Sequence, residues 1–142
     1  MQGLRTRAQF QAAMAGTVQA RSHHFVLHFC SFDAAPPPQS PAPGSTVFDK
    51  GLALERPAVG ALVPKRWAKR AVTRNTIKRQ IYHVSLLFET QLAPGAHVVR
   101  LRSAFDTKQF PSATSVPLRA ALRQELIGLF GLAGHATLPA SP

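Results

Sequence analysis

Two adjoining stretches decide how this chain reads: Val59-Gly60-Ala61-Leu62-Val63-Pro64-Lys65, and then Ala71-Val72-Thr73-Arg74-Asn75-Thr76-Ile77-Lys78-Arg79. Ala58 to Val63 is short and apolar and reads as a buried strand, which Pro64 ends because proline lacks an amide donor. The second stretch opens a helix expected over roughly Arg70 to Phe88. Ile77, Ile81, Val84 and Phe88 recur at i, i+4, i+7 and i+11 and mark its core-facing stripe.

The polar residues of that helix sort by the same period. Asn75, Lys78, Arg79 and Tyr82 stand at i, i+3, i+4 and i+7 and should share one surface, with Arg74 at its edge. Seven of the 17 Lys and Arg residues, namely Lys65, Arg66, Lys69, Arg70, Arg74, Lys78 and Arg79, lie within 15 positions. Even spreading would place about two there. The nearest acids are Glu55 and Glu89. One helix face can thus pack on a sheet while the other offers cations for phosphates, an amide for base edges and a ring for stacking. A solvated basic face without a partner is the plainer reading. The density of charge, the missing acids and the net charge of +11 favour nucleic acid.

Elements on either side complete the pattern. Thr6-Arg7-Ala8-Gln9 is a capping box, after which Phe10, Ala13 and Met14 share a helical face that Gly16 should end. His23 to Phe32 alternates, with Phe25, Leu27 and Phe29 on one side, and reads as a strand. Pro94-Gly95 turns the chain into a strand from Ala96 to Arg102. Ser115 is a candidate N-cap, Pro117 suits a first turn, and Leu118, Ala121, Leu122, Leu126 and Leu129 line a last helix that Gly131 should close. The expected fold is α+β, a single-domain α/β sandwich. One mixed sheet of about four strands meets three helices, in the order αβββαβα or αββαβα. Residues 1–132 form one RNA-binding domain, interrupted by a proline-rich loop over 33–57. Residues 133–142 are expected to be a flexible tail.

Composition narrows the function. With 142 residues the chain has room for one core. One cysteine, Cys30, excludes an internal disulfide and a cysteine zinc cage. No apolar run approaches the roughly 20 residues of a bilayer span, and no signal peptide opens the chain, so a cytoplasmic protein without a membrane partner is expected. The six acids, Asp33, Asp49, Glu55, Glu89, Asp106 and Glu125, are scattered and offer no pair for two catalytic metals. His23, His24, His28, His83, His97 and His135 lack ligand spacing. Trp67 either stacks on RNA or anchors the strand-to-helix turn. Arg100 and Arg102 alternate with apolar neighbours on an outward sheet face. Arg119 and Arg123 read as solvated charge.

These residues carry a family resemblance. Ala71 to Arg79, following Val59 to Lys65, resembles the A-V-x-R-N-x-x-K-R signature of the bacterial ribonuclease P protein component. Phe10 and Met14 match apolar positions of that family's first helix, and Gly16-Thr17 with Phe25-Val26-Leu27-His28 resembles its first strand, where an aromatic often stands at the His28 position. His97 to Arg102 resembles its last strand, and Leu118 to Phe130 its last helix. Thr76 and Tyr82 stand where the family often has arginine. Trp67 to Arg70 replaces a common glycine-containing turn, and the proline-rich loop is longer than usual.

The resemblance implies a protein subunit that assists a catalytic RNA in removing the 5′ leader of precursor tRNA, with no catalytic residue of its own. Its partners would be ribonuclease P RNA, in a 1:1 particle, and precursor tRNA, with Mg²⁺ serving the RNA. The RNA-docking surface would comprise Lys65, Arg66, Lys69, Arg70, Arg74, Asn75, Lys78 and Arg79. A leader cleft between the first helix and the sheet would draw on Phe10, Met14, Phe25 and His28. Phe25 and His28 are an odd number of residues apart, so an ideal strand brings only one of them to the cleft. The resemblance also implies a left-handed crossover around the basic helix. An RNA-binding protein of the ribosomal kind, without substrate contact, is the alternative. A protein-only nuclease is a third class.

Overall fold

The computed structural model describes residues 2–4, 6–32, 56–105 and 116–137. The elements follow the order β1 (Gln2–Gly3), α1 (Arg7–Met14), β2 (Thr17–Arg21), β3 (Phe25–Cys30), β4 (Ala58–Leu62), α2 (Ala71–Leu87), β5 (Ala96–Leu101) and α3 (Val116–Thr137). The strands form one mixed sheet in the order β1-β4-β5-β3-β2. β4 runs parallel to β1 and β5, and β3 runs antiparallel to β5 and β2. The α+β sandwich with three helices stands as expected, with five strands instead of about four. β1 is a two-residue edge pairing with Ala58 and Val59. β2 lacks clean alternation because a bulge at Gln19 shifts its register between Val18 and Ala20.

The local signals explain the helices. The Thr6 side chain accepts from the Gln9 amide, and the Gln9 side chain accepts from the Thr6 amide, which closes the capping box of α1. α1 stops at Met14, and the next residue but one, Gly16, is required by close approach. A Cβ there would lie 2.1 Å from the carbonyl oxygen of Phe29. In α2 the stripe Ile77, Ile81 and Val84 is buried, and Phe88 follows at the C-cap. α3 does not close at Gly131. It continues to Thr137 and takes up the first residues of the expected tail, since Gly in a helix costs only about 1 kcal/mol relative to Ala. The Ser115 cap, loop residues 33–55 and tail residues 138–142 lie outside the described residues.

The two faces of the sheet are covered unequally. α2 and α3 pack on one face, where Phe25, Leu27, Val59, Ala61, Val99 and Leu101 meet Ile77, Ile81, Leu122, Leu126 and Phe130 in the main core. α1 packs on the other face, where Ala13, Ala58, Ala96, Val98 and Phe32 form a smaller core edged by Leu4, Phe10 and Met14. α1 is only 8 residues long, so it spans about 12 Å and covers one end of its face.

Candidate nucleic-acid interface

The basic segment leaves the C-terminal end of β4. Its turn is held by amides of Trp67 and Ala68 donating to the Pro64 carbonyl, at 3.1 and 3.2 Å. Ala68 is buried and Trp67 packs against the main core, so Trp67 anchors this turn. The Arg66 guanidinium lies 5.2 Å from the Trp67 ring centroid, within cation–π range. Lys65, Arg66, Lys69 and Arg70 are exposed around this anchored turn.

Asn75, Lys78 and Arg79 continue the exposed strip along α2. None of the seven cations between Lys65 and Arg79 forms an ion pair among the described residues. The N-cap of α2 is Arg70, which makes no side-chain cap, and the first turn holds no acid. The positive end of the helix dipole and its free amides therefore sit among cations. Such an arrangement is unfavourable for the isolated protein and favourable for a bound polyanion.

Two residues depart from the expected strip. Arg74 is half-buried, and its Nη1 donates to the carbonyls of Ala68 and Lys69 at 3.0 and 2.8 Å. It closes the turn onto the helix, so its cation is partly committed to the protein itself. Tyr82 is not presented outward with Lys78 and Arg79. It packs against the main core, since a bulky ring at the border of the apolar stripe gains more from burial than from solvent. Burial pushes its phenol above the ordinary value, against a smaller opposing pull from a backbone hydrogen bond with Ala61.

The second expected surface is the α1 face of the sheet. Phe10 and Met14 edge its small core and are half-buried. Gly60 lies beneath Phe10, and a Cβ there would approach the Phe10 ring to 2.5 Å. His28 pairs in register with Val98, which belongs to the same core. Phe25 does not belong to this group. It is fully buried in the main core under α2 and α3, because its odd spacing from His28 sends it to the opposite side. Beyond α1, toward the C-terminal end of β4, Leu62 is 37% exposed beside its register partner Arg100. Leu62 is three residues from Lys65, at most about 11 Å along the chain, so this end of the face adjoins the basic turn.

Several contacts were not legible from spacing. Ser22 and His24 lie in the turn before β3, where the Glu125 carboxylate of α3 accepts from the Ser22 hydroxyl and, at 2.7 Å, from the His24 amide. His24 Nδ1 lies 2.7 Å from the same carboxylate, and the His24 ring stacks on Phe105 at 3.8 Å. Burial pushes Glu125 up, but its bonds with Ser22 and His24 together hold it below the ordinary range. Arg102 is exposed and donates to the Ser22 carbonyl. No three of His, Cys, Asp and Glu come together among the described residues, and no described helix is long and apolar enough to cross a membrane.

Comparison with known proteins supplies the context. The sequence model of the family described as Ribonuclease P matches residues 1–124. The chain is 36% identical over 77 residues to the ribonuclease P protein component of Paraburkholderia xenovorans, covering 54% of this chain and 55% of that one. It is 37% identical over 68 residues to that of Burkholderia mallei, covering 48% and 50%. The matched stretch thus spans about half the length of the curated relatives. Among solved structures, the RNase P protein of Staphylococcus aureus superposes with a TM-score of 0.60 at 17% identity, covering 94% of this chain and 95% of that one. That of Thermotoga maritima gives 0.54 at 18%, covering 91% and 98%. At such identities these two likenesses establish the shared fold.

Proposed function

The chain belongs to the ribonuclease P protein family, and from that premise we propose that it is the protein subunit of the ribonucleoprotein that removes 5′ leaders from precursor tRNA. Lys65, Arg66, Lys69, Arg70, Lys78 and Arg79 dock the catalytic RNA through its phosphates, with Asn75 supplying a donor and an acceptor. Counterion release drives this contact and makes it salt-dependent. The α1 cleft takes the single-stranded leader, whose bases pack on Phe10 and Met14 beside His28.

One observation carries this reading. A cationic strip without acidic partners among the described residues starts three residues after Leu62, an exposed apolar side chain at the C-terminal end of β4 on the α1 face. One polynucleotide surface can therefore hold a folded RNA and an adjacent single strand together. The two described acids are engaged within the protein, Glu89 with Arg56 and Glu125 with Ser22 and His24. We assign the chemistry to the RNA subunit, in a 1:1 cytoplasmic particle. Mg²⁺ serves that RNA.

The test is reconstitution. Precursor tRNA is incubated with a bacterial ribonuclease P RNA at low Mg²⁺, with and without this protein. Restoration of correct 5′ cleavage that the RNA alone performs poorly is the expected result. Binding of the RNA without any gain in cleavage would instead favour a structural RNA-binding protein. Cleavage by the protein without RNA would favour a protein nuclease.

A further inference from the structure

The open half of the α1 face carries a cationic nook that the family pattern does not explain. Arg21 on β2 and Arg100 on β5 are both register partners of Val26 on β3. They flank it from either side, about 10 Å apart across two strand spacings. Two residues along β3, on the same face, stands His28, 7% exposed. Its Nε2 lies 3.4 Å from Arg100 Nε, and its Nδ1 is buried without a hydrogen-bond partner. No carboxylate pairs with Arg21 or Arg100 among the described residues.

Three cationic or proton-accepting groups thus lie near one another with no carboxylate paired to them among the described residues. Arg100 Nε can donate to His28 Nε2 only while that nitrogen is unprotonated, which places the proton of the neutral ring on the orphaned Nδ1. We propose that Arg21, His28 and Arg100 form a proton-coupled clamp for one phosphodiester of the single strand in the α1 cleft. When a phosphate arrives, His28 takes up a proton, Nε2 turns from acceptor to donor, and Arg100 is released toward the anion. The nook rests on the leader-binding reading above and adds a pH-dependent charge to it.

The surroundings of His28 favour this coupling. Burial first, then Arg100 from β5 and Arg21 from β2, hold the imidazole below its ordinary value, so it is neutral in the free protein at neutral pH. α1 packs on the same sheet face through Phe10 and Met14 at the edge of the small core, and its only charged residue, Arg7, is exposed. A phosphate offsets both arginines and favours the imidazolium. Each unit by which binding raises the His28 pKa strengthens binding by up to about tenfold once the pH lies below the free value.

The experiment measures binding of precursor tRNA and of leaderless mature tRNA to the reconstituted ribonucleoprotein at pH 7.4 and 5.8. The leader's share is the ratio of the two affinities. The expected result is a share that grows about threefold to tenfold as pH falls. In His28→Gln it should be flat with pH, and in Arg100→Gln it should be reduced at both pH values, with Arg100→Lys intermediate. Titration of the His28 ring by NMR, with and without a short oligoribonucleotide, provides a readout that needs no variant and should show a rise in pKa on binding. A share that is present but indifferent to pH and to Arg100 overturns the clamp and leaves the cleft standing. An unmoved His28 titration also overturns it. If the leader contributes nothing in the wild-type particle, the cleft reading and the clamp fall together.

Discussion

The two faces of the sheet are built from the same strands but finished differently. Under α2 and α3 the sheet presents Phe25, Leu27, Val59, Ala61, Val99 and Leu101 to the main core, and Leu27, Ile81, Val99, Leu122 and Leu126 are fully buried. Under α1 a short helix covers one end, and the other end presents Leu62, Arg100 and Arg21 to solvent. The closed face holds the molecule together. The open face retains apolar and cationic groups that a polynucleotide can complete.

The largest break in this comparison should come from the closed face. Leu122→Ala removes a fully buried side chain between α3 and the sheet and should cost about 2–5 kcal/mol, read by chemical denaturation. RNA contacts should be lost only through unfolding. Gly60→Val is the counterpart on the open face. Its side chain would drive into the Phe10 ring, costing about 1–3 kcal/mol by overpacking. In the reconstituted particle it should weaken leader binding while RNA-subunit binding persists. Equal loss of both would mean that the cleft and the basic strip are not separable.

The basic strip can be divided in the same way. Arg74→Ala removes two hydrogen bonds from a charged donor to the turn and should destabilise the fold by about 1–3 kcal/mol. Lys78→Ala with Arg79→Ala should leave stability within about 0.5 kcal/mol, since both are exposed and unpaired among the described residues. That pair should lower the salt slope of RNA binding by roughly two, one per phosphate contact. A filter-binding salt titration beside thermal melts separates the two roles.

The smallest effect concerns pH. His28 and His97 are both held below the ordinary histidine value, mainly by burial, so the unfolded chain binds protons more readily than the folded one. Their contribution is complete above about pH 6.5 and is lost as pH falls toward their folded values. Melting temperature should therefore drop between pH 7.5 and 5.5, and His28→Gln should make the drop shallower. Leader binding should move the opposite way, growing as pH falls. A melting temperature that rises on acidification would contradict the buried, neutral state of both rings.

Much of this was legible in the chain alone. The α2 stripe, the α1 capping box and the Ala58 to Leu62 strand depend on period and cap chemistry, which act within a few residues. The cationic strip was legible because seven cations without acids are a local fact. What spacing could not supply was set by partners distant in sequence. β2 was hidden by its bulge, and β1 by being two residues long. The α3 end was misplaced because a helix can run through Gly131 at a cost of only about 1 kcal/mol relative to Ala.

The sequence by itself determined which residues alternate and which charges cluster, because those properties belong to short windows. It could say that Phe25 and His28 point to opposite sides, but not which side is roofed by two helices and which by one short one. Tertiary structure decided that, along with the commitment of Arg74 to backbone carbonyls and the burial of Tyr82. It also brought Arg21, His28 and Arg100 together. That meeting depends on the strand order β5-β3-β2 and on a one-residue shift in β2, a matter of non-local pairing that no periodicity within one segment encodes.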